Sequence, residues 1–277
     1  MRLASALAAS LSLWASAASA SEAAPLPSGD ELPRIVPKVV LDAYYSRAFP
    51  IVSGGVTNQT TPARDDGFTL NLASIGFQLE HANIQGELIL QYGSSVDALN
   101  PSSSVSPSLQ TLRSIQTAWL GWHDGDFTFR AGVQPAHLGH ESFVSTENWN
   151  YGHAIFADAT PYFFTGLQLD WKIDPRLNLS GRVFKGWQTF GDDLNAPSGA
   201  LIETWEPIKD VEVRNATQVG RAVPHFTDLR IIDDLVVTWT ASTLLAFAFE
   251  AWGGTDRRSS GDSPTYFGGT IWAKLAL

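Results

Sequence analysis

The chain has 277 residues, a formal net charge of −10, no cysteine, 10 tryptophans and only 17% charged residues, against about 25% in an ordinary soluble protein. Without cysteine it is not a disulfide-stapled module. With no basic patch and no Gly-rich phosphate loop, it does not read as a nucleic-acid or nucleotide binder.

The N-terminus reads as an export signal: basic Met1-Arg2, an apolar and small-residue run from Leu3 to Leu13, and the small-x-small site Ala18-Ser19-Ala20. Residues 1–20 are therefore expected to be cleaved, 21–37 to form a periplasmic segment, and 38–277 to form the folded body. Beyond the signal, no stretch reaches the roughly 18 apolar residues of a spanning helix. An exported, tryptophan-rich, cysteine-free chain of this kind fits an outer-membrane β-barrel, and it also fits a secreted all-β domain.

Alternation with a period of two recurs along the chain. In "ANIQGELILQY", Ile84, Leu88, Leu90 and Tyr92 fall on one face, and Gln85, Glu87 and Gln91 on the other. "FTFRAGVQ" sets Phe127, Phe129 and Val133 against Arg130 and Gln134; "LNLSGRVF" sets Leu177, Leu179 and Val183 against Asn178, Ser180 and Arg182. "TLLAFAFEAW" opposes Leu245, Phe247 and Phe249 to Glu250. Each reads as a strand with one apolar and one polar or small face. Ten strands are expected, at about 38–48, 68–80, 83–92, 114–123, 127–135, 162–173, 177–187, 231–241, 244–252 and 266–276. The alternation of the second changes phase near Leu72-Ala73, the mark of a bulge.

The connections alternate short and long without a break. The short ones are His81-Ala82, Asp124-Gly125-Asp126, Asp174-Pro175-Arg176 and Ser242-Thr243; the long ones are Phe49–Gly67, Gly93–Arg113, Ala136–Pro161, Gln188–Arg230 and Gly253–Thr265. An all-β transmembrane antiparallel up-and-down barrel predicts this, with tight periplasmic turns and long external loops. Greek-key crossings do not. Phe127, Trp171 and Trp239 fall beside short turns, and Tyr45 and Tyr92 at the other strand ends, where amphipathic rings sit at the headgroup level. Lys185 is expected to point outward near the external end.

The segment "TENWNYGHAIFADATPYFFTG", Thr146 to Gly166, holds six aromatic rings in irregular sequence. Its "ENWNYG" (Glu147–Gly152) followed by "PYFFTGLQLDW" (Pro161–Trp171) resembles the OmpL-like β-barrel porins of Gram-negative bacteria. The likeness runs less sharply from "LDAYYS" (Leu41–Ser46) through the seventh strand and weakens beyond about Gly191. It implies an outer-membrane barrel with porin-like activity, without a substrate. The chain ends at Leu277, where such barrels usually end on an aromatic residue. Ten strands are expected as the chain stands, and twelve if a terminal hairpin is missing.

On the polar faces, Asp42, Glu87, Gln91, Arg130, Gln134, Asp170, Lys172, Arg182 and Glu250 are expected to line a pore, with Lys274 beside them. Asn148, Trp149, Asn150, Tyr151 and His153 are expected to form a constriction loop, its rings on the inner wall and Asn148, Asn150 and His153 bonded to lumen groups. Residues 136–161 carry Glu141, Glu147 and Asp158 and no Lys or Arg; residues 188–229 carry Asp192, Asp193, Glu203, Glu206, Asp210, Glu212 and Asp228 against Lys209, Arg214 and Arg221. An acidic mouth favours cations.

His137 and His140, three apart with Glu141 beside them, offer no third metal ligand, and no Gly-x-Ser-x-Gly elbow marks a hydrolase. No catalytic residue, metal or cofactor is expected. The expected function is passive diffusion of small hydrophilic solutes or ions, mildly cation-selective, in the outer membrane. The expected partners are outer-membrane lipid, lipopolysaccharide and the barrel-assembly machinery; the oligomeric state is open. The alternatives are a non-conducting structural barrel and a secreted soluble β-protein that binds or hydrolyses carbohydrate.

Overall fold

The computed structural model describes residues 32–47, 60–64, 66–99, 110–190, 197–221, 229–258, 261 and 263–276. The expected export signal lies outside the described residues. The described chain divides into two compact units. The first holds residues up to Gln116 with Val144–Thr146 and Asn150–His153; the second holds Thr117–Phe143, Glu147–Trp149 and Ala154 onward.

Among the described residues twelve antiparallel strands follow one another in chain order. The first unit carries β1 (Arg34–Arg47), β2 (Asp66–His81) and β3 (Ile84–Tyr92), then a short helix α1 (Ser94–Leu99). β4 (Ile115–Asp124) begins at its end and runs into the second unit. The second unit continues with β5 (Phe127–Pro135), a five-residue helix α2 (Ile155–Ala159), β6 (Phe163–Asp174), β7 (Leu177–Lys185), β8 (Pro197–Ile208), β9 (Val211–Gly220), β10 (Leu229–Thr240), β11 (Leu245–Arg257) and β12 (Thr265–Leu275).

All but two of the expected strand boundaries, the start of β1 and the end of β11, fall within about two residues of those observed, but the count of ten does not hold. Residues 188–230 are not one loop. They contain the β8–β9 hairpin, in register from Gly199↔Val219 to Trp205↔Val213 and closing at Ile208↔Val211. The extra pair thus lies inside the chain and not at its end. The hairpin keeps the short-turn rule, and neighbouring turns are tied together: Glu206 N–H donates to Arg176 O and Thr240 N–H to Asp210 O, each at 2.9 Å. β1 also starts four residues before the expected position, at Arg34 rather than residue 38. The phase change in β2 is a bulge: the β1–β2 register shifts between Asp42 and Ala43, whose partners are Leu72 and Leu70. The extra residue, Asn71, is thereby turned onto the polar face.

Alternation sorts each sheet into two faces. One is exposed and apolar: Leu41 is 72% exposed, Phe68 89%, Leu120 59% and Ile271 75%. Rows of large aliphatic side chains left bare on successive strands are intolerable in water and required in lipid. Aromatic pairs sit beside the short turns on this face: Phe127 stacks on Trp171 with ring centroids 5.8 Å apart, and Trp239 on Phe247 at 5.7 Å. At the opposite strand ends Tyr45 meets Phe68 at 4.9 Å. Lys185 is exposed on this face, as expected. The apolar surface is interrupted in mid-strand on β8–β10, by Glu203, Asn215, Thr217 and Asp233; Thr217 Oγ1 donates to Asp233 Oδ1 at 2.6 Å. The opposite face is polar or small, and it carries the site.

Candidate functional site

In the first unit, Asp42, Glu87 and Gln91 occupy the polar face of β1–β3, as their cross-strand partners Leu72, Gln78 and Ser74 require. Asp42 is buried, and donors surround it. Asn71 Nδ2 lies 2.6 Å and Ser145 Oγ 2.5 Å from Oδ2, and Tyr151 Oη donates to Oδ1 at 3.1 Å. A carboxylate with this many donors is satisfied without a cation. Burial first, and the Asp42 carboxylate second, raise the Tyr151 phenol far above its ordinary value. It therefore stays protonated and donating. Tyr151 also packs edge-on to Tyr44 at 6.0 Å, and His153 Nδ1 lies 3.0 Å from Thr60 Oγ1. Gln91 Nε2 donates to Arg113 O at 3.1 Å.

In the second unit, the start of the 136–161 segment is fastened to the polar face of β9–β12. Asp234 Oδ2 accepts from Gly139 N–H at 2.7 Å, and Glu250 Oε2 from His140 N–H at 3.3 Å. Arg214 donates to the Gly139 carbonyl. Trp272 Nε1 donates to Glu141 Oε1 at 3.0 Å, and the other Glu141 oxygen accepts from Ala154 N–H at 2.6 Å. Gly139 has φ +85°, a left-handed conformation costing a side-chain-bearing residue about 1–2 kcal/mol. It lets the N–H and C=O of one residue address Asp234 and Arg214 together.

Rings complete the fastening. Phe156 stacks on Trp252 with centroids 4.1 Å apart, and His140 packs against Trp149 at 5.3 Å and Trp272 at 4.9 Å. Lys274 Nζ lies 5.9 Å from the Trp149 ring. Of the expected loop residues, Trp149, Tyr151 and His153 thus meet strand or loop partners within their own units. Asn148 differs from expectation: its amide clips the backbone of Ser142, at 2.7 and 2.8 Å, and so stiffens the loop itself. Asn150 is exposed.

Beneath this segment, at the short-turn side, lies a cavity of about 470 Å³ lined by Arg130, Asp170, Lys172 and Arg182, all expected pore residues, together with Arg214 and His137. Gln134, two same-face positions beyond Arg130 on β5, is buried opposite Phe164. Asp170 accepts from Ser180 Oγ, and from Gln168 Nε2 at 2.6 Å; Arg130 Nη2 stands 3.7 Å away. Arg182 Nη1 donates to the Pro135 carbonyl at 2.8 Å.

Alternation alone could not find Arg214, Asp234, Asn71 or Trp272. Arg214 lay in what reads as a loop. Asp234 follows Asp233 in a strand with aliphatic residues on both faces, so neither phase stands out. Asn71 owes its place to the bulge.

His137 and His140 do not share one environment. His137 stacks on Phe164 at 4.7 Å, whereas His140 lies among the tryptophans. Both imidazoles are pushed below their ordinary pKa, His137 strongly. Burial is the main cause, then Arg182 and Arg214 for His137 and Arg214 for His140. Above about pH 6.5 neither ring carries charge, folded or unfolded, and neither affects stability. Below it the unfolded chain takes up protons that the buried rings refuse, so stability falls as the pH falls. Hydrogen-exchange protection of residues 136–143 is expected to drop between pH 7.5 and pH 5, and H137Q should flatten that slope. An unchanged slope in the variant would remove His137 from the account.

The antiparallel strands with one exposed apolar and one polar face define a class: a transmembrane β-barrel of the bacterial outer membrane. The chain belongs to the family described as "Putative beta-barrel porin-2, OmpL-like", which matches residues 38–277. No curated protein matches it. Among solved structures it is similar to OmpTdeltaL8, a loop L8 deletion mutant of OmpT, an outer membrane protein of Vibrio cholerae. That similarity has 7% identity and a TM-score of 0.38, over 88% of this chain and 99% of that one.

Proposed function

We propose that the protein is a diffusion pore for small hydrophilic solutes, narrowed by the segment 136–161 and lined by Asp42, Glu87, Gln91, Arg130, Gln134, Asp170, Lys172, Arg182 and Glu250. The observation that supports this most is the binding of Gly139, His140 and Glu141 to Asp234, Glu250, Arg214 and Trp272. A loop held by polar-face side chains narrows a passage, where a loop on the rim only covers it. Assembly into the membrane is expected to use the barrel-assembly machinery, with lipopolysaccharide around the external loops.

The finer reading is a mild preference for cations. It rests on less charge than the sequence suggested, because Glu203 is on the apolar face of β8, and Glu206, Asp210 and Glu212 are at the β8–β9 short turn. Among the described residues Glu147, exposed on the loop, and Asp158 remain; Asp192, Asp193 and Asp228 lie outside the described residues. Their effect is expected to fade as salt shortens the Debye length to about 8 Å at physiological ionic strength.

The test is single-channel recording of the detergent-purified protein in a planar bilayer under a salt gradient. Discrete steps with a small cation-sign reversal potential are expected, and anion preference would overturn the selectivity reading. Stable insertion without conductance would favour a plugged structural barrel, which the buried acceptors of the loop also fit.

A further inference from the structure

The cavity below the start of the loop is lined by more basic than acidic side chains. Cross-strand register sets its side chains in three adjacent rows. Arg130, Gln168 and Arg182 are successive partners across β5, β6 and β7. One row nearer the short turns come Asp170 and Ser180, and the next row holds Lys172, Asn178, Thr204 and Arg214 across β6 to β9. Asp170 is therefore a single carboxylate among the cations Arg130, Arg182 and Lys172, while the fourth cation, Arg214, is shared with Asp234 and Glu250. Asp126 adds a second acid only at the turn. Among the described residues the Nε–H groups of Arg130, Arg182 and Arg214 are buried and meet no acceptor, while Asp170 Oδ2 and Gln168 Oε1 are buried and meet no donor. Arg182 and Arg214 spend hydrogen bonds on neutral carbonyls, of Pro135 and Gly139. Arg130, Lys172 and Arg182 outweigh Asp170 beside about 470 Å³ of open space, and this suits an anion whose oxygens can take several donors at once.

We infer that the Arg130–Lys172–Arg182–Arg214 cavity is a binding site for small oxyanions, carboxylates or phosphate, on the path through the pore. The inference deepens the diffusion-pore reading and rests on it. It does not conflict with a weak cation preference at the mouth. The mouth acts at a distance and is screened by salt, while the cavity acts at contact, where screening is slight.

The experiment adds citrate or inorganic phosphate to the protein in a bilayer bathed in KCl. Conductance is expected to fall with added anion and to saturate with an apparent Kd on the order of 1 mM, while glycerol at the same concentration leaves it unchanged. R182Q and K172Q are each expected to weaken the effect about tenfold. D170N is expected to move it the other way, towards tighter binding, because it removes the cavity's central negative charge and keeps an acceptor for Ser180. Opposite shifts in variants that all retain heat-modifiable gel mobility cannot come from misfolding. Equal block by glycerol, or the same direction of shift in D170N and R182Q, would overturn the site. Calorimetric titration of the detergent-solubilised protein with citrate separates the two readings. Binding by a silent barrel would keep the site and remove the pore, and conductance with no anion binding would do the reverse.

Discussion

Removing residues 141–158 and joining the ends with a short Gly-Ser link is expected to raise single-channel conductance several-fold. The deleted stretch carries Glu141, Trp149, Tyr151 and Phe156, whose contacts run to Trp272, His140, Asp42 and Trp252. Each of these is a polar-face or loop partner, so the stretch occupies volume that the deletion returns to water. Conductance scales with open cross-section, and a loop bound to polar-face side chains is the first candidate for limiting it. The strands keep their registers, because strand pairing does not depend on this segment, and the shortened protein should still shift in mobility on heating. A folded deletion variant with unchanged conductance would place the segment on the rim and end the constriction reading.

Arg214→Leu is expected to be the most damaging single substitution. The Arg214 charge acts on both Asp234 and Glu250, two buried carboxylates on adjacent strands. Removing it leaves them with the Gly139 and His140 N–H donors and their hydrogen bond to each other. Breaking a buried ionic group by deleting one partner costs about 3–5 kcal/mol, more than the roughly 1 kcal/mol of an ordinary hydrogen bond. The measurement is the denaturant or temperature midpoint of the gel-mobility transition, with Arg214→Lys restoring part of the loss because it restores charge but not the fork. The loosened 139–141 segment should also add open-channel noise. A midpoint within experimental scatter of the parent would mean that water or protonation, and not Arg214, accommodates the two acids.

Much of this architecture is legible in the residues. Period-two alternation placed Arg130, Asp170, Lys172 and Arg182 on one face from the sequence alone, because a strand's side chains alternate whatever lies beside it. The register then brings these four into one cavity. The Leu72-Ala73 phase change reported a real bulge for the same local reason. The β8–β9 hairpin was not legible. Glu203, Asn215 and Thr217 lie on its apolar face, so the contrast between faces that marks a strand is blurred, and seven acids in 188–229 read as solvated loop.

The sequence by itself determined ten of the twelve strands seen among the described residues, their faces, and an aromatic loop between β5 and β6. Only the tertiary structure decided what that loop binds. Gly139 meets Asp234 across 95 residues and Glu141 meets Trp272 across 131, and no local period encodes pairs so far apart. They depend on strand order, on the register of each hairpin, and on a hairpin that alternation did not reveal; a shift of one residue in any of them would turn the anchoring side chains into lipid.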